Sequence, residues 1–121
     1  MKNSAGFTLI ELIAVILILS ILAVVAVPNF VDLRSDARAA AAAGVAGALA
    51  SGSALNYAQR SLNSGSGVAV TDCTNVAGTL QGGLPSGYSI TSAAITAGST
   101  ATCTVTGPGS SSATFTAIGI N

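Results

Sequence analysis

"GFTLIELIAVIL", residues 6–17, sets one carboxylate, Glu11, near the head of a run that is otherwise almost wholly apolar. Across residues 12–27 the only polar side chain is Ser20. Together with residues 7–10 this stretch would reach about 30 Å as a helix, the thickness of a bilayer's hydrocarbon layer. Each Leu, Ile or Val favours insertion by roughly 0.3–0.6 kcal/mol, and one central acid opposes it by about 3. Insertion therefore tolerates Glu11 without explaining it. A plain single-pass anchor would let Glu11 snorkel toward the interface. A cleaved secretory signal would use Lys2 as a weak basic start and Val24, Val25 and Ala26 as small residues before the cut, but it would carry a charge at the head of its apolar core.

The 121 residues allow one compact domain with an appendage. Charged residues make up 7% and cancel: Lys2, Arg34, Arg38 and Arg60 against Glu11, Asp32, Asp36 and Asp72, with no His and no Trp. Such a chain has no electrostatic footprint for nucleic acid. A hydrophobic share of 50% and a mean hydropathy of +0.73 also exclude a disordered polymer. Cys73 and Cys103 are the only cysteines, too few, with no His, for a zinc site. Two readings remain, a disulfide formed in an oxidising compartment or two free buried thiols. Closing a loop of about 30 residues would contribute roughly 3–4 kcal/mol in the chain-entropy model.

Pro28 removes a backbone donor and crowds the preceding turn, and Val24, Val25 and Val27 weaken helix propensity just before it, so a kink is expected there. Residues 29–62 read as helix, with "ARAAAAAGVAGALA" at 37–50 repeating the strongest helix former. Val45, Leu49, Gly52, Leu55, Ala58 and Leu62 fall three and four apart, one stripe suited to covering a sheet. Gly44, Gly47 and Gly52 weaken the helix; either another backbone approaches them closely or they have no role. Asp32 and Asp36 share one face, Arg34 and Arg38 another, offset by about 200°. These pairs either meet opposite faces of neighbouring copies in a head-to-tail lattice or form a solvated collar.

From residue 63 the composition shifts to Gly, Ser and Thr, and "NSGSG" at 63–67 ends the helix. Strands are expected at 88–95 (YSITSAAI), 100–106 (TATCTVT) and 113–120 (ATFTAIGI), with a turn at 107–112. Residues 67–73 (GVAVTDC) form another strand or a loop edge. Three or four antiparallel strands against the amphipathic half of the helix make an α+β fold: a long N-terminal hydrophobic helix, kinked near Pro28, whose C-terminal half packs on a small antiparallel sheet. Nothing in this half has catalytic chemistry, since its serines lack a base, and one Asp is too little for a metal site. No cofactor and no enzymatic activity are expected.

"MKNSAG" followed by "FTLIELIAVILILSILAVVAVPNF" resembles the start of the type IV prepilin family, most like a major pilin with a short leader. The resemblance covers residues 1–30 closely and is architectural beyond. It implies a leader, 1–6, cut after Gly6 by a prepilin peptidase on the cytoplasmic side, and N-methylation of the new terminal residue, Phe7. It implies a transmembrane and filament-core helix at 7–30, an amphipathic helix half at 31–62 and a β-rich head at 63–121. In similar pilins the acid at the position of Glu11 pairs with the terminal amine of a neighbouring subunit. Intrachain pairing of the Phe7 amine with Glu11 is the alternative, and the two can alternate before and after assembly. The stretch ahead of the proline melts in filaments of the family, and here Ser20 replaces its usual Gly. A disulfide bounds a surface region in many major pilins, a role Cys73 and Cys103 fit. Calcium-binding major pseudopilins of type II secretion typically lack cysteines. The implied protein is a homopolymeric pilus subunit for adhesion or motility, held in the bacterial inner membrane as precursor and moved to the cell surface by an assembly platform. A minor pilin or a pseudopilin is the alternative within the family, and a tethered or secreted binding domain that never polymerises the alternative outside it.

Overall fold

The computed structural model describes residues 5–121, so the first four residues of the expected leader, Lys2 included, lie outside the described residues. The order of elements is α1 (Leu9–Leu62), a 3-10 segment (Cys73–Thr79), β1 (Ser89–Ile90), β2 (Thr100–Thr106), a 3-10 turn (Pro108–Ser110) and β3 (Ser112–Ile118). The chain divides into two compact units, one ending at Arg34 and the other Ser35–Asn121.

In the first unit α1 is continuous across Pro28, the position at which a kink is expected. Proline removes one bond of the ladder. Side chains add others close by: Ser20 Oγ donates to the Ile16 carbonyl at 2.7 Å and Asn29 Nδ2 to the Val25 carbonyl at 3.1 Å. The apolar residues of this segment are exposed, among them Leu9, Ile13, Leu17, Ile21 and Phe30. The segment is long and apolar enough to cross a membrane.

In the second unit three antiparallel strands are ordered β1-β2-β3. Between β2 and β3, Cys103 faces Phe115, Thr102 faces Thr116 and Thr104 faces Thr114. Alternation sends Cys103, Val105, Phe115 and Ala117 into one core with Ala46 and Leu49 of α1 and Val70, Val76 and Ile95 of the connecting chain. Threonines take the opposite face. The expected strand at 100–106 is β2, and that at 113–120 is β3 with Ile120 bridged to Val70 beyond its end. Of 88–95 only Ser89–Ile90 forms a strand. After Thr91 the chain leaves β2 and binds residues 71–73, with Cys73 N donating to the Ala93 carbonyl at 2.9 Å and Ile95 N to the Thr71 carbonyl at 2.8 Å. Residues 67–73 are thus a loop edge carrying two isolated bridges.

The buried face of α1 differs from the expected stripe. Ala42, Ala46, Leu49, Ser53 and Asn56 are buried, whereas Leu55 is 72% and Leu62 91% exposed. Polar side chains win this face because each meets backbone groups the sheet and loop leave open. Ser53 Oγ accepts from Ile118 N at 2.9 Å, and Asn56 both donates to the Val68 carbonyl and accepts from Val68 N, each at 2.8 Å. These bonds offset the cost of burying Ser53 and Asn56, and a Leu at either position would leave the backbone groups it meets unpaired. Of the three helix glycines only Gly52 is approached closely, a Cβ there falling 2.6 Å from Thr79 Oγ1, while Gly44 and Gly47 face open space.

Cys73 and Cys103 form a disulfide, with Cα atoms 5.7 Å apart and both residues buried. It ties the start of the 3-10 segment to the middle of β2. Beside it Asp72 caps that segment: Oδ1 accepts from Thr74 N at 2.9 Å and Thr74 Oγ1 at 2.8 Å, and Oδ2 from Ser92 Oγ at 2.9 Å. Asn75 Oδ1 accepts from Asp72 N in return.

Replacing both cysteines by Ala is expected to lower the stability of the oxidised head by about 2–5 kcal/mol, read from urea unfolding followed by tyrosine fluorescence. The Thr74 N–H, then its hydroxyl, with help from Ser92, hold the Asp72 carboxyl below its usual range. A carboxyl lowered by folding contributes stability that is complete above its unfolded pKa and is lost as pH falls through the folded one. Wild type is therefore expected to melt above Asp72→Asn at neutral pH, the gap closing below about pH 4; a gap independent of pH would contradict this origin.

Candidate processing and assembly site

Residues 5–8 precede α1 without helical structure, and Ala5, Gly6 and Phe7 are exposed, Phe7 by 86%. A protease needs a reachable chain outside regular structure, and the Gly6–Phe7 bond lies in such a stretch. Nothing lies within 4 Å of a Cβ built at Gly6. A concavity of about 180 Å³ beside the bond is lined by Ala5, Gly6, Phe7 and Glu11. The one carboxylate of the apolar run therefore borders the peptide bond whose cleavage would create an amine.

Within the uncut chain Glu11 already has a partner. Its Oε2 accepts from Thr8 N at 2.8 Å and from Thr8 Oγ1 at 2.9 Å, and Glu11 N points back to Thr8 Oγ1 at 3.4 Å. Thr8 and Glu11 form a reciprocal cap on the first turn of α1, satisfying amide donors that no helical carbonyl reaches. A carboxylate in the first turn also suits the positive end of the helix dipole. Sequence reasoning that sought only an amine missed this partner. The signal was there: threonine, two residues, then glutamate ahead of an apolar run is the capping-box pattern.

Of the four charges between residues 32 and 38, Asp32 and Arg34 lie in the first unit and Asp36 and Arg38 in the second, all exposed. Arg38 is engaged in its own head. Its guanidinium lies against the backbone of Gly109, whose φ of +68° and crowded Cβ position admit no other residue easily. Among the described residues no three His, Cys, Asp or Glu side chains cluster as a metal site.

The family description that matches is the prokaryotic N-terminal methylation motif, over residues 1–27. It contains Gly6, Phe7, Thr8 and Glu11. No curated protein and no solved structure matches the chain. Thr8→Val should remove the hydroxyl half of the cap, and hydrogen exchange of the first-turn amides in detergent should then speed by about fivefold, the size of a lost N-cap.

Proposed function

Because residues 1–27 match the prokaryotic N-terminal methylation motif, we propose that the chain is a prepilin-type protein of the type IV pilin family and the major structural subunit of a type IV pilus, a cell-surface fibre for adhesion and motility. The leader and apolar helix fit a membrane-anchored precursor. A prepilin peptidase cuts after Gly6 and methylates Phe7, and the inner-membrane assembly platform moves the subunit into a homopolymer. The observation that carries this reading is the position of Glu11, the lone acid of an exposed apolar helix, beside the bond that is cut.

Sister tails replacing lipid gain little from apolar contact as such, so the choice of stagger must come from packing and charge. Cleavage turns the Phe7 peptide nitrogen into a cation. Glu11 then exchanges its Thr8 bonds for an amine of the adjoining subunit, and any stagger that leaves it unpaired in the bundle is penalised. Asp32 and Asp36 on one copy meet Arg34 of another as lateral contacts, with Arg38 contributing from its seat on the Gly109 turn. The family's role is structural, and no enzymatic step is assigned to the chain.

Sheared surface fibres should begin at methylated Phe7 by mass spectrometry, and their copy number separates a major subunit from a minor pilin or a type II secretion pseudopilin. A mature start at Val27 would instead indicate a secretory signal, and retention of Met1 a plain anchor. Glu11→Gln should reduce surface fibre at least about tenfold, the effect of losing one charge pair in an apolar bundle, with the membrane pool unchanged. Wild-type fibre from that variant would overturn the pairing. Charge reversal at Asp32 and Asp36 should impair assembly and be rescued by reversal at Arg34 and Arg38; normal assembly without rescue would remove the lateral contact.

A further inference from the structure

The head's sheet ends in an open edge. Thr91 N donates to the Thr104 carbonyl at 3.0 Å, so the peptide groups of Thr104 point toward β1. Thr104 faces Thr114 across β2 and β3, and in an antiparallel ladder this pair is therefore one that exchanges no hydrogen bonds. The peptide groups of Ser112, Thr114, Thr116 and Ile118 consequently point away from β2. Ile118 N confirms the phase, because its partner is Ser53 Oγ of α1. Among the described residues Thr114 N and Thr116 N have no such partner, and both residues are exposed.

That edge borders an open groove of about 670 Å³, walled by Ala43, Gly47 and Ala50 of α1 and by Thr102, Thr114 and Thr116 of the sheet. The devices that usually protect an edge strand are missing from β3: it carries no charge, no proline and no bulge. Its exposed threonines have high strand propensity.

We propose that the head pairs with a second copy of itself through the β3 edges, across a two-fold axis, making one six-stranded antiparallel sheet. Identical edges running antiparallel are self-complementary: each Thr114 N–H meets the second copy's Thr116 carbonyl, and each Thr116 N–H the second copy's Thr114 carbonyl. The paired surfaces are neutral, so bringing identical copies together meets no like-charge repulsion. In such a sheet the two copies of α1 lie on the same face, and Ala43, Gly47 and Ala50 leave their backbones room to approach. A charged peptide finds no counter-ion in this groove, which favours the second copy over an acidic or basic partner.

The symmetry determines what the contact can join. Subunits within a polar helical fibre repeat by a heterologous contact, whereas a two-fold contact closes on itself. The β3 pairing therefore joins heads of two different fibres and is separate from polymerisation.

Thr114 offers a clean test, because its N–H serves the open edge and not the ladder with β2. Thr114→Lys and Thr114→Pro should leave the Cys73–Cys103 disulfide and the tyrosine melting curve unchanged, Pro being tolerated where an edge donor faces outward. Full-length protein in excess detergent, examined by sedimentation equilibrium, should dimerise in a concentration-dependent way. Either substitution should raise the dimer dissociation constant roughly tenfold or more. Hydrogen exchange of the Thr114 and Thr116 amides should slow in the wild-type dimer relative to the monomer. A monomeric wild-type chain at hundreds of micromolar, or a dimer indifferent to Thr114→Lys, would overturn the proposal; in the second case the apolar tails account for the association. Thr114→Arg as an independent charge insertion guards against an effect peculiar to Lys or Pro.

Discussion

The first unit buries almost nothing against its own chain, and its exposed Leu, Ile and Val side chains have to be covered by something else. Water is excluded as a lasting neighbour by the hydrophobic effect, which at about 25 cal/mol per Å² makes a fully wetted helix of this composition untenable. Lipid satisfies the constraint, and under the proposed function sister helices satisfy it after assembly. Neither specifies an axial position, because apolar contact is non-directional. Specific geometry must come from the few polar groups in the run, and Glu11 is the only ionised one.

Its bonds to Thr8 give this group a partner within its own chain. An acid left bare in lipid would be costly, and the cap supplies two donors from the same chain. The cap is a holding arrangement between neutral donors and an acid. A terminal amine brings full positive charge, and a charge-assisted pair is roughly twice as strong as a neutral hydrogen bond. Under the proposed function, cleavage thus changes which partner Glu11 prefers without changing Glu11 itself.

The head solves a different problem, that of a small domain with a thin core. Its buried side chains are mainly small or medium, with Leu49 and Phe115 the larger ones. The disulfide, the Asp72 cap and the Ser53 and Asn56 bonds fasten loops that the core alone covers poorly. The disulfide, the Ser53 and Asn56 bonds and the Ser92 contact of Asp72 act between separate segments of the chain. The same economy leaves the β3 edge unguarded, since the helix reaches only Ile118 of that edge.

Much of the fold was legible in the residues because it depends on local properties. Transfer preference marks the apolar segment, alanine content the helix to Leu62, period-two alternation β2 and most of β3, and the opening residues the N-terminal methylation motif. The presence of two cysteines suggested a bridge, but only the approach of 73 to β2 decided it. Which face of α1 turns inward could not be read from hydrophobicity: Leu55 and Leu62 have the better transfer energy, yet Ser53 and Asn56 are inside because distant backbone groups need them. The short β1, the 3-10 segment after Cys73 and the seating of Arg38 on Gly109 were likewise decided by tertiary structure. Hydrogen-bond partners brought together by folding are properties of pairs of segments, whereas period and polarity are properties of one.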